Sequence, residues 1–120
     1  MARIDRINHQ MKKEISDIVL REMNDPRVEF VTITEVLVSR DLQHAKVYFS
    51  VLGNESQARK AEEGLLSARG LVRKLIGERI RMRYTPEIQF IYDESIATSA
   101  RIETMLGKIN RESDKDYHNN

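Results

Sequence analysis

Ala68-Arg69-Gly70, followed by Leu71-Val72-Arg73-Lys74-Leu75-Ile76-Gly77-Glu78-Arg79-Ile80-Arg81-Met82-Arg83, decides how this chain folds. A helical pattern running up to Ala68 hesitates at the small-residue joint. It resumes with Leu71, Val72, Leu75 and Ile76 on one side and Arg73, Lys74 and Gly77 on the other. After Gly77 the period changes. Ile80, Met82 and Tyr84 alternate with Arg81, Arg83 and Thr85, which predicts extended chain beyond about Arg79 and sets Arg81 and Arg83 on a shared side. Two helical pieces therefore meet at a bend and run into a strand. From Arg69 to Arg83 six cations face one acid, Glu78, a local charge of +5; with a total of +1, the rest of the chain sums to −4. Cations gathered beside a tight bend predict a surface that meets phosphates.

Working outward, the helix before the bend carries Ala58, Ala61, Leu65 and Leu66, with Asn54 as its candidate cap. Gly64 lies inside it at a cost of about 1 kcal/mol against alanine, which suggests close packing by another element. Upstream, His44 to Val51 alternates: Ala45, Val47, Phe49 and Val51 on one face, His44, Lys46, Tyr48 and Ser50 on the other. Val31 to Ser39 is rich in β-branched residues, and a short polar link joins the two runs, so they predict a hairpin covered on one side only. Ile7, Met11, Ile15, Ile18, Val19 and Met23 make an amphipathic helix from about Ile4 to Met23, ended by Asn24-Asp25-Pro26. Downstream, Pro86 leads into a third strand, Glu87 to Tyr92. Ile96, Ile102, Met105, Leu106 and Ile109 predict a final helix capped by Asp93 or Ser95, and Arg111 to Asn120 predicts a disordered polar tail. The crossover from strand two to strand three is long enough for parallel pairing. The expected class is α+β: a single domain over residues 1–110, a three-stranded mixed sheet with helices on one face.

The 120 residues suit one domain that buries roughly two-thirds of its unfolded surface. Without cysteine, disulfides and thiolate metal sites are excluded. No signal peptide and no apolar run near the ~20 residues of a membrane span is present, so a cytoplasmic location is expected.

The order of elements and a set of phrases resemble the ribosome-binding factor A family. The phrases are Asp25-Pro26-Arg27-Val28, Thr32-Ile33-Thr34 with Val36 and Val38-Ser39, then Asp41-Leu42, Ala45, Val47-Tyr48 and Ser50. Ala68-Arg69-Gly70, Arg73, Pro86-Glu87, Phe90 and Asp93 continue them, so the likeness spans roughly residues 3 to 107. The resemblance implies a KH-like fold of the second type, in which the Gly-x-x-Gly loop is replaced by an Ala-x-Gly kink at Ala68 and Gly70. It also implies a non-enzymatic factor that binds the small (30S) ribosomal subunit and its 16S rRNA late in assembly, assists rRNA processing and is associated with growth in the cold. It implies no cofactor, no membrane and no small-molecule substrate, and a monomer is expected.

The candidate RNA-binding residues are Arg69, Arg73, Lys74, Arg79, Arg81 and Arg83, with Arg6 and Lys13 from the first helix. Gly70 is expected to supply backbone angles closed to other residues. The amides that open the second helical piece offer a further phosphate site. A plain solvated face and a simple helix end are the competing readings. His9, His44 and His118 are scattered without metal-ligand spacing, and the adjacent Glu62 and Glu63 point apart. No nucleophile and base can be grouped, so no catalytic residue is assigned. The alternative function is a protein-interaction adaptor using the hairpin edge or the last helix.

Overall fold

The computed structural model describes residues 3–94. The expected last helix and polar tail lie outside the described residues. The elements are α1 (Arg3–Arg21), a short 3-10 turn (Pro26–Val28), β1 (Val31–Val38), β2 (His44–Val51), α2 (Glu55–Ser67), α3 (Arg69–Arg79) and β3 (Glu87–Tyr92). The sheet order is β1-β2-β3. β1 and β2 are antiparallel; β2 and β3 are parallel, Ala45 opposite Ile88 and Val47 opposite Phe90. The expected mixed sheet is present.

One face of the sheet is the core. Ala45, Val47 and Phe49 from β2 and Ile88 and Phe90 from β3 are buried under Met11, Ile15 and Ile18 of α1, Ala61 and Leu65 of α2, and Val72 and Ile76 of α3. The Phe49 and Tyr92 rings meet at a tilt of 60°, their centres 5.7 Å apart. His44, Lys46, Glu87 and Gln89 are exposed on the opposite face.

β1 contains a device that alternation alone does not reveal. Ile33, Val36 and Val38 are all buried, although Ile33 and Val36 are an odd number of residues apart. The register slips at this point: Ile33 opposes Phe49, Glu35 opposes Tyr48, and Thr34 is the extra residue. This bulge returns Val36 and Val38 to the core face.

Two small residues fix how α2 sits. Gly53 has φ 149°, a glycine conformation, and closes β2 just before the cap. Gly64 allows the Pro26–Val28 turn to lie against α2. A Cβ there would sit 2.9 Å from Val28 Cγ1 and 3.3 Å from Arg27 Cβ. Val28 is buried and β-branched, so it cannot swing away cheaply. Gly64→Ala should therefore lose more from overpacking than the ~1 kcal/mol it gains in helix propensity. The expected result is a net destabilisation of about 1 kcal/mol in denaturant unfolding; a gain in stability would show that the turn can yield.

Candidate nucleic-acid interface

The bend is built by contrast between two helix starts. α2 opens with a full capping box: the Asn54 side chain accepts from the Gln57 amide at 3.0 Å, and the Asn54 amide donates to Gln57 Oε1 at 2.8 Å. α2 ends at Ala68, whose N–H reaches the carbonyls of Gly64 and Leu65, both at 3.1 Å. α3 then begins at Arg69 with no side-chain cap. No side chain therefore competes for the first amides of α3, which lie one residue beyond the last carbonyls of α2.

The expectation for Gly70 is corrected here. The bend is made by Ala68, at φ −94° and ψ 1°, a conformation open to ordinary residues. Gly70 lies within the first turn of α3, and the only glycine at positive φ among the described residues is Gly53. A Cβ on Gly70 would meet nothing within 4 Å. Gly70 thus leaves a bare surface rather than enabling a special backbone.

Arg69, Gly70 and Arg73 line a shallow cavity of about 300 Å³, completed by Glu87 and Ile88 at the start of β3. Arg73 Nη2 donates to the Thr85 carbonyl at 3.0 Å, which aims the guanidinium along the α3–β3 connection. Lys74 is exposed on the same helix, and Arg81 is exposed in the connection. The alternation of that connection holds through buried Ile80, exposed Arg81, half-buried Met82 and exposed Arg83, then stops. Tyr84 is 64% exposed, with the Arg83 guanidinium 5.5 Å from its ring centre. Ile80 is extended, at φ −119° and ψ 124°, but residues 80–86 join no strand.

Arg79 stands apart from the other cations. Its guanidinium donates to Asp17 Oδ2 at 2.8 Å and Glu14 Oε1 at 3.3 Å, with Glu22 at 3.6 Å. Arg79 clamps the end of α3 to α1 and is spent on three acids of its own chain. The same contact locates Arg6 and Lys13. Lys13 is one turn before Asp17, and Arg6 two turns before Lys13, so both lie along the flank of α1 that Arg79 grips. Among the described residues, Arg6, Lys13, Arg69, Lys74 and Arg81 have no acid within 4 Å. The residues that sequence reading missed are Thr85, Glu87 and Ile88. Their place beside the bend depends on the crossover and leaves no local signal.

The clamp has a pH signature. Hydrogen bonding from Arg79 holds the Asp17 carboxyl below its ordinary value of 3.8, despite opposing desolvation, and Asp17 in turn raises Arg79. Arg27 lowers Asp25, and the Ser39 hydroxyl lowers Asp41. A carboxylate depressed in the folded state stabilises fully above its unfolded value, and that stability is lost as pH falls through the folded value. Thermal stability should therefore be level above about pH 5 and decline as pH drops below about 4. Asp17→Asn should lower Tm at pH 7 and flatten the decline. An unaltered acid limb in differential scanning calorimetry would show that the clamp does not contribute.

The open sheet face offers less. His44 Nδ1 lies 3.8 Å from Glu87 Oε2, and Tyr48 is half-buried. Among the described residues no cluster of His, Asp or Glu could hold a metal ion, and no helix is long and apolar enough to cross a membrane.

A hairpin, two helices meeting at Ala68, and a parallel third strand define a KH-like α+β domain with Arg69 and Arg73 beside the interhelical bend. The family model for ribosome-binding factor A matches residues 3–106, and the chain belongs to that family. Ribosome-binding factor A of Halothermothrix orenii is 51% identical over 114 residues, covering 95% of this chain and 93% of that protein. The crystal structure of ribosome-binding factor A from Thermus thermophilus has a TM-score of 0.68 at 23% identity, over 76% of this chain and 97% of that one. A Thermotoga maritima protein solved in solution gives 0.66 at 31% identity, over 72% and 83%. A homology model of the Thermus factor, fitted into the cryo-EM map of its 30S complex, gives 0.60 at 24% identity, over 72% and 91%.

Proposed function

We propose that this protein is a non-enzymatic assembly factor that binds the small ribosomal subunit and contacts its 16S rRNA through the end of the molecule around the α2–α3 bend. The observation that carries the reading is the start of α3, which has no side-chain cap, flanked by Arg73 and by Arg69 and Lys74, which have no acid partner among the described residues, with Gly70 leaving the approach bare. Phosphate groups fit both the helix end and the cations. The fitted 30S complex of the Thermus factor supports the choice of target. Arg81, Arg83, Arg6 and Lys13 extend the contact; Arg79 acts through the clamp.

Phosphate contacts carry no sequence information, so selectivity comes from the shape of the ribosomal site. The factor acts by favouring one rRNA conformation, by the difference in its affinity for the two states. It works as a single copy in the cytoplasm, late in subunit maturation, and supports rRNA processing and growth in the cold. Co-sedimentation with purified small subunits at graded salt tests this. The expected result is binding that falls steeply with salt and exceeds binding to an rRNA-length duplex at every salt concentration. Equal affinity for any polyanion would remove the ribosomal assignment.

A further inference from the structure

One aromatic ring at the cationic end lies outside the core. Tyr84 is 64% exposed, whereas Phe49 and Phe90 are buried and Tyr48 and Tyr92 are half-buried. Phe30, the other exposed ring among the described residues, precedes β1 at the far end of the sheet: Val31 pairs with Val51, while Glu87, beside the bend, pairs with His44. The Tyr84 backbone is tied on both sides. Met82 packs against the core, and Pro86 is fully buried. Thr85 meets α3 twice. Its carbonyl accepts from Arg73 at 3.0 Å, and its hydroxyl oxygen would sit 2.8 Å from a Cβ on Gly77. A tied support beside the bend therefore carries a ring that is left in solvent.

The Arg83 guanidinium lies over the Tyr84 ring, 5.5 Å from its centre, and covers one face. With the side chain still mostly exposed, the other face is open. Arg81 and Arg83 are exposed, and neither has an acid within 4 Å among the described residues. The acids nearest in sequence are Glu78, on α3, and Glu87, whose carboxylate lies 3.8 Å from His44. Cations beside an open aromatic face fit a single nucleic-acid strand: phosphates meet the cations, and a base free of its helix meets the ring. A base inside a duplex keeps both faces stacked on its neighbours. We infer, on the basis of the RNA contact proposed above, that Tyr84, backed by Arg83, stacks on an unpaired rRNA base next to the phosphates that meet α3. Such a stack selects single-stranded RNA, which phosphate contacts by themselves do not.

The test uses the full chain, purified small subunits and two labelled strands of equal length, oligoadenylate and an abasic sugar-phosphate chain. Fluorescence anisotropy should show the unaltered protein binding oligoadenylate more tightly than the abasic strand. Tyr84→Ala should lower the affinity for oligoadenylate about tenfold and weaken co-sedimentation with subunits to a similar degree. It should leave Tm, abasic-strand binding and the salt slope unchanged, because no cation is lost. Tyr84→Phe should bind as the unaltered chain does. Four results would overturn the stack: no preference for oligoadenylate, normal oligoadenylate binding by Tyr84→Ala, an equal loss on both strands, or a loss on subunits alone, which would assign the ring to a ribosomal protein. If the unaltered chain showed no salt-dependent binding to either strand or to subunits, the RNA contact at the bend would fall first, and the stack with it.

Discussion

Replacing Arg73 and Lys74 together by alanine should weaken binding to small ribosomal subunits by about 10- to 100-fold at low salt. Both residues are exposed on α3, so the fold should tolerate the change, apart from the single bond from Arg73 to the Thr85 carbonyl. Each cation that neutralises a phosphate releases counterions. Losing two should make the plot of log affinity against log salt shallower by about 1.5. An intact melting transition with this shallower slope assigns the loss to the interface. An unchanged slope would place both side chains in plain solvent. Arg79→Ala should behave differently: it leaves Glu14, Asp17 and Glu22 facing one another, so its first effect is a lower Tm rather than a shallower slope.

Gly70→Glu should abolish most of the affinity while sparing the fold. The side chain would project from the first turn of α3 into empty space. A glutamate there is a better helix residue than glycine and suits the helix dipole, so Tm should rise slightly. Yet its carboxylate occupies the approach to the uncapped amides and repels phosphate. A loss of about 100-fold or more is expected. Gly70→Ala should keep the gain in stability, about 0.5–1 kcal/mol, with a smaller loss of binding. Stability and affinity moving in opposite directions distinguishes a binding glycine from a structural one. If Gly70→Glu unfolded the protein instead, the glycine would serve the bend after all.

The frame was legible because its elements obey local rules. β2 ran from His44 to Val51 as its alternation requires, Asn54 capped α2, and Gly64 took the close contact its cost implied. The bulge at Thr34 was not legible, since it exists only relative to Phe49 and Tyr48 on the neighbouring strand. Among the candidate cations, composition could not separate Arg79 from Arg81. Their difference lies in acids more than fifty residues away in sequence, which only the packing of α3 on α1 brings within reach. Glycine commonly supplies positive φ, the basis for expecting special backbone angles at Gly70; the chain bends two residues earlier, at Ala68, within angles available to any residue. The Asp93 carboxylate accepts from the Thr34 hydroxyl at 2.9 Å; the helix that Asp93 or Ser95 is expected to cap lies outside the described residues.

Cryo-electron microscopy of the full chain bound to purified small subunits is the most direct test of the interface. The expected map sets the start of α3, with Arg69, Gly70, Arg73 and Lys74, against rRNA phosphates, and Arg79 still held by α1. A map with the open sheet face or the β1 edge on the RNA, and α3 turned to solvent, would contradict it.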